Sequence, residues 1–178
     1  MMEAGQAAPS VKNRQPYYFI AIMNRECRRE IYLAAEKGRR KQFANLSEKE
    51  LLEMSKGEVG SNDISIYEAS CAILVVRDSD ISYAEAKNQS ENLNIKEEES
   101  VANAAYSIML QAQSMGISSG WVCSPLYIQE DLKRILQKYN VKWNDNWKPR
   151  VIIPLGYCKK GHTKPKRQEL TTKSVIVE

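Results

Sequence analysis

The longest stretch without a charged residue runs from Ser100 to Gln129, and it limits the possible folds more than any other feature of the chain. Val101, Ala104, Ala105, Ile108, Ala112 and Met115 recur there at helical spacing and define one apolar face. Ala102, Tyr106, Met109 and Leu110 make the other faces apolar too. Such a helix must be covered on several sides. In a chain of 178 residues, that cover is expected to include a second subunit. Glu97, Glu98 and Glu99 fall in the expected first turn, where carboxylates favour the positive end of the helix dipole. Gly116 supplies the stop. A membrane-spanning helix needs about 20 mostly apolar residues in succession. Asn103, Gln111, Gln113, Ser114 and Pro125 interrupt this run, so a buried helix of a soluble protein fits better.

Around that helix the pattern alternates. Tyr17–Met23 (YYFIAIM) and Cys71–Val76 (CAILVV) read as buried strands. Val151–Leu155 (VIIPL) reads as a third, with Pro154 pointing to an edge or bulge position. Gly120–Val122 is a short strand or turn, and the apolar Ser174–Val177 is strand-like and needs a partner edge. Asn24 caps a helix carrying Cys27, Ile31, Ala34 and Ala35 on one face. Ser47 and Glu50 form a capping box for a helix reaching about Lys56. Ile128–Lys138 is another helix, with Glu130 and Asp131 in its first turn. Met1–Gln6 reads as the end of a helix, Ala7–Pro16 as a loop bounded by prolines, and residues 78–95 as a polar connection. The alternation predicts an α+β or α/β fold, taken as a single domain over residues 1–178.

Several function classes are disfavoured. The net charge is only +4, and the clusters Arg25/Arg28/Arg29 and Arg39–Lys41 read as solvated helix faces. They lack interleaved aromatic residues, so nucleic-acid binding is not expected. A mean hydropathy of -0.51 argues against a membrane protein. The four cysteines, Cys27, Cys71, Cys123 and Cys158, form no CxxC pair, and no secretory signal is visible. They read as reduced thiols in a cytoplasmic protein. The one histidine, His162, leaves no basis for a zinc site.

Three segments in chain order carry a resemblance. Glu3–Ile22 (EAGQAAPSVKNRQPYYFIAI) looks like the AAPSxxNxQPW stretch and following strand of the nitroreductase family. Ser100–Pro125 (SVANAAYSIMLQAQSMGISSGWVCSP) is similar to that family's central helix, Gly-rich turn and tryptophan. Arg150–Arg167 (RVIIPLGYCKKGHTKPKR) is similar to its strand, Gly-Tyr turn and basic phosphate loop. The resemblance implies a mostly antiparallel central sheet flanked by helices, a homodimer of the domain-swapped type, and a basic loop at 158–168 before a tail at 170–178. It also implies bound FMN, with NAD(P)H as co-substrate and a small quinone, nitroaromatic or enone-like acceptor.

Residue by residue, the resemblance sets Pro9, Ser10, Asn13 and Gln15 against the flavin, often across the dimer interface. An amide side chain both donates and accepts, as the pyrimidine edge requires. Read alone, this loop would use its Ser and Asn for local turn bonds. Val122, Cys123 and Ser124 are implied to present backbone groups to the redox edge of the ring, where charge accumulates. Hydride transfer of this kind needs no catalytic acid–base side chain, and none is assigned. Trp121 reads as core and Cys123 as a structural side chain. Lys164, Lys166 and Arg167 are implied phosphate counter-charges, though on charge alone they would read as a solvated basic tail. Asn62, within NDISIYEASCAILVV, matches a place some members use for the ring edge.

The chain departs from the pattern at its start. Members open with a helix bearing an Arg-Ser-x-Arg motif that clamps the flavin phosphate, whereas this sequence begins Met1-Met2-Glu3-Ala4. Two readings then compete with an FMN-dependent reductase. GISSGWVCSPLYIQEDLKRIL and WKPRVIIPLGY also resemble the nitroreductase-like domain attached to glutamyl ligases of the deazaflavin coenzyme pathway. A shortened member could instead be a flavin-less ligand-binding or interaction dimer. Lys12 and Arg14 are the available substitutes for the missing arginines.

Overall fold

The computed structural model describes residues 1–47, 50, 63–78, 90–158, 167–175 and 177. A short helix α1 (Met2–Gln6) and a loop with one 3-10 turn (Val11–Asn13) lead into strand β1 (Tyr17–Ile22). Helix α2 (Arg25–Gln42) follows, then α3 (Ile64–Glu68), β2 (Cys71–Asp78) and α4 (Ser90–Ser114). A two-residue strand β3 (Ser118–Ser119), a 3-10 turn (Ser124–Leu126), helix α5 (Gln129–Lys138) and strand β4 (Trp147–Gly156) complete the main body. Among the described residues the strands form one sheet in the order β1-β2-β4-β3, every pairing antiparallel.

Alternation along the strands builds two cores, one on each face. Ile20, Leu74 and Ile152 lie in register across β1, β2 and β4 and pack with Ile31, Ala35, Leu132 and Leu136 of α2 and α5. Val75 and Val151 occupy the opposite face and pack with Val101, Ala104, Ala105, Ile108 and Ala112 of α4. The fold is therefore three-layered and α+β, as the sequence predicts. Asn24 caps α2, its Oδ1 accepting from the Cys27 N–H at 3.0 Å. Gly116 takes φ +70 at the end of α4, the left-handed conformation that a stop there requires. The Ser47–Glu50 box is present, with Glu50 Oε2 accepting from the Ser47 amide at 2.8 Å; its helix to Lys56 lies outside the described residues.

Several expectations are corrected. Helix α4 begins at Ser90, so Glu97, Glu98 and Glu99 lie mid-helix, and the helix takes in part of the connection expected to be loop. The two inward carboxylates meet arginines there rather than a helix dipole. Strand β4 is flanked on both sides, so Pro154 is not on an edge strand. Its carbonyl accepts from Gly120 N–H at 3.3 Å, which puts its missing amide on the sparsely paired β3 side. Met115 is 56% exposed, one turn beyond the buried face. Arg28 is buried, donating to the carbonyls of Ile22 and Met23 at the end of β1, so only Arg25 and Arg29 of that cluster are solvated. The short strand falls at Ser118–Ser119 rather than at Gly120–Val122. Val175 and Val177 are exposed and belong to no strand, and Leu170–Thr172 forms a 3-10 turn.

The buried Cys27 gives a pH test of the α2 core. Burial first, and then the Glu30 carboxylate, push its thiol from 9.0 to about 11. The folded state holds that proton more tightly, so its stabilisation is complete below the unfolded value and is lost as pH rises through the folded one. The urea midpoint is expected to fall between pH 9.0 and about 11, and Cys27→Ala to flatten that fall. An unchanged slope in the variant would place the loss in other groups.

Candidate active site

The turn after α4 is stitched along the free side of β4. Ser118 and Ser119 pair with Gly156 and Leu155, and Val122 exchanges hydrogen bonds with Ile152 at 3.0 and 2.9 Å. The chain then leaves the sheet in the 3-10 turn begun by Cys123, whose carbonyl accepts from Leu126 N–H at 3.0 Å. Both backbone groups of Val122 are therefore engaged by Ile152. Among the described residues, the amides of Cys123 and Ser124 make no such bond. Ser124 is only 2% exposed, and its hydroxyl also has no hydrogen-bond partner among the described residues. Unsatisfied buried polar groups are costly and call for an explanation.

A cavity of about 490 Å³ opens beside this turn, lined by Trp121, Cys123, Leu126, Val101, Arg150 and Glu98 among others. Trp121 is 40% exposed, not part of the core, and its Nε1 donates to Cys123 Sγ at 3.2 Å. The glycine before it faces Pro154 on β4, and the indole itself lines the cavity with Arg150 and Val151 of that strand. Hydrophobicity alone could not show which way that side chain would turn.

The polar end of the cavity is built from residues distant in sequence. Register between β2 and β4 runs from Val75↔Val151 to Val76↔Pro149, leaving Arg150 as the extra residue of a bulge. Strict alternation would place Arg150 on the face of Ile152. The bulge turns it toward α4 instead. There its Nε and Nη2 donate to Glu98 Oε2 and Oε1, each at 2.6 Å. Arg77 Nη1 donates to the same Oε1 at 2.9 Å. Next to it, Glu97 is 2% exposed and lies 3.9 Å from both Arg77 and Arg14. No local sequence signal marks Arg150 for this role, and the Glu97–Glu99 run by itself predicts a helix terminus.

The loop before β1 is tied to the other side of this cluster. Val11 N–H donates to Ser100 Oγ at 3.0 Å, and Gln15 N–H to Ser10 Oγ at 3.0 Å. Lys12, Asn13 and Gln15 all have positive φ, near +50. Non-glycine residues held this way cost roughly 1–3 kcal/mol each and persist only where surroundings over-determine them. Gln15 Nε2 donates to Asn13 Oδ1 at 3.2 Å, so part of the loop's polarity serves local turn bonds. Pro9 and Asn13 are exposed, and Lys12 points to solvent while Arg14 turns to Glu97. Gln15 lines a different hollow, with Met2, Gln6 and Phe19 among others. Within one chain, Gln15 and Cys123 thus line separate cavities. Arg167 is exposed in a third hollow with Glu169 and Lys173. Asn62, Lys164 and Lys166 lie outside the described residues.

Gly38 of α2 supports the turn from behind. A Cβ there would come within 2.6 Å of Ile128 Cγ2 and 3.0 Å of Tyr127 Cδ2. Tyr127 and Ile128 directly follow the 3-10 turn that carries the two unpaired amides. Gly38→Val should overpack this contact and cost about 1–3 kcal/mol in thermal denaturation. A loss below about 0.5 kcal/mol would mean the turn moves freely.

The donor set fits the edge of a flavin-type heterocycle: among the described residues, two amides and one buried hydroxyl without partners stand at a turn, with the apolar cavity beside them. Fold and site together define an α+β oxidoreductase. Residues 1–157 match the Nitroreductase family, and the chain belongs to that family. Among solved structures it is similar to a BluB-like flavoprotein from Clostridium difficile 630, with 17% identity, a TM-score of 0.79, and coverage of 99% of this chain and 86% of that one. It is similar to oxidized iodotyrosine deiodinase bound to FMN and 3-iodo-L-tyrosine, at 19% identity and TM-score 0.71, covering 99% of this chain and 83% of the other. A third is the NADPH:FMN oxidoreductase from Vibrio harveyi complexed with NAD+, at 14% identity and TM-score 0.69, covering 99% and 65%. At such identities the likeness concerns the fold. No curated protein matches the sequence. No helix among the described residues is long and apolar enough to cross a membrane.

Proposed function

We propose that this chain is an FMN-dependent oxidoreductase that takes hydride from NAD(P)H and delivers it to a small electrophilic acceptor of the quinone, nitroaromatic or enone-like class. The observation that carries the reading is the pair of unpaired amides at Cys123 and Ser124 beside an apolar cavity, in a member of the Nitroreductase family. Flavin, when bound, supplies a ring that accepts hydride and gives it up again. The Cys123 and Ser124 amides would donate to its electron-rich edge, with no reorganisation needed as charge builds. Trp121 and Leu126 give the cavity beside that edge an apolar wall. Pro9, Ser10, Asn13 and Gln15 would meet the pyrimidine edge from a second copy of the chain, and Asn62 from the same copy. Lys164, Lys166 and Arg167 would offset the phosphate charge.

The homodimer belongs to the same proposal. Tyr106 at 57% and Leu110 at 49% exposure leave an apolar stripe on α4, and a partner subunit would cover it. A cytoplasmic location is proposed from the cysteines, all free in the structure.

The test is an absorption spectrum of freshly purified protein, with mass spectrometry of any released chromophore and a melting curve in excess FMN. The protein should be yellow, or become so, and melt higher with FMN. A ligand at 100 times its Kd adds about 2.7 kcal/mol to the folded state. A colourless protein whose melting temperature ignores FMN would overturn the reading.

A further inference from the structure

We propose that the cavity beside Trp121 is built to take an aromatic acceptor carrying a carboxylate, with Arg150 as the residue that selects for the negative charge. Naming the ligand as an acceptor rests on the reductase reading above; the anion preference rests on geometry. Most of the cavity wall is apolar, from Val101, Ala102, Trp121, Leu126 and Val151. A flat ring suits that surface, the half-exposed indole above all. Charge is confined to one end, where Arg150 and Glu98 meet.

At that end, Glu98 is already committed. Its two oxygens accept three hydrogen bonds from two guanidiniums, so one carboxylate is divided between two cations. Arg77 is sealed at 6% side-chain exposure, whereas Arg150 keeps 20%. Of the five N–H groups of a guanidinium, Arg150 uses Nε and one on Nη2 for Glu98, and one on Nη1 for the Pro149 carbonyl. One N–H on each Nη remains, the fork that pairs with a carboxylate. The β4 bulge exists at this very residue, and its effect is to carry Arg150 from the Ile152 face to the cavity face. A solvated surface arginine would need no such rearrangement of the strand.

Calorimetric titration of the full-length protein with 4-nitrobenzoate and with its methyl ester tests the inference. The acid should bind at least about tenfold more tightly, the expected effect of one charge-assisted pair. Arg150→Gln should abolish the preference. Should that variant fail to fold, Glu98→Gln with Arg150→Gln removes both charges together while Arg77 keeps the Glu97 carboxylate nearby, and should also abolish it. Equal affinities in the native protein, or a preference that survives either variant, would overturn the proposal. Reduction of the uncharged ester by NAD(P)H and FMN tests the reductase reading alone. Reduction without any binding preference sinks the anion site and spares the reductase; a preference without reduction does the reverse.

Discussion

Glu97→Gln is expected to lower the unfolding free energy by about 3–5 kcal/mol, the usual cost of removing one partner from a buried ion pair. Glu97 is 2% exposed, and the two arginines that face it have side chains 8% and 6% exposed. Glutamine keeps the shape and removes the charge, so two sealed guanidiniums lose a counter-ion. The contacts are 3.9 Å long, and Glu97 Oε1 has no hydrogen-bond partner among the described residues, so the tie is mainly one of charge. Urea denaturation should show a lower midpoint with an unchanged slope. A loss under about 1 kcal/mol would mean the cluster is screened by water, as exposed pairs are. Arg14 also sits between two residues of positive φ, so the variant should loosen the loop carrying Asn13 and Gln15.

Ile152→Ala should cost about 2–5 kcal/mol, the range for truncating a large buried aliphatic residue. Ile152 is fully buried, lies in register with Leu74, and exchanges both backbone hydrogen bonds with Val122. The side chain fills the α2–α5 core while the backbone fixes the start of the amide-bearing turn. Stability and ligand affinity should therefore fall together. A thermal melt within 1 kcal/mol of the native protein would show that the core closes over the gap.

Sequence alone made the local parts of this fold legible and left the long-range charges obscure. CAILVV is an apolar, β-branched run that became β2 because a strand covered on both faces needs just that pattern, whereas YYFIAI became the edge strand β1, where Tyr18 and Ala21 stay exposed. Asn24, the Ser47–Glu50 box and Gly116 were legible because each acts within a few residues of itself. Glu97 and Glu98 were misread for the opposite reason. Their partners come from other elements, Arg150 from 52 residues further on, and a Lys-Glu-Glu-Glu run looks solvated until the sheet brings arginines to it. The bulge at Arg150 leaves no periodic trace, since Val151–Leu155 is buried on both faces and offers no alternation whose phase could break. Val175 and Val177 show the converse, a strand-like composition that is exposed and in no strand among the described residues of one chain.

Trp121 gives the chain an optical reporter of its own. Trp147 is 9% exposed and held edge-on to Trp143 at 5.5 Å, far along the sheet from β3. Trp121 stands half in solvent on the cavity wall. Its emission should be redder than that of Trp143 and Trp147, and an electron-poor ring entering the slot would dim that component first. Occupancy of the site can then be followed by fluorescence without attaching a dye or running a reaction.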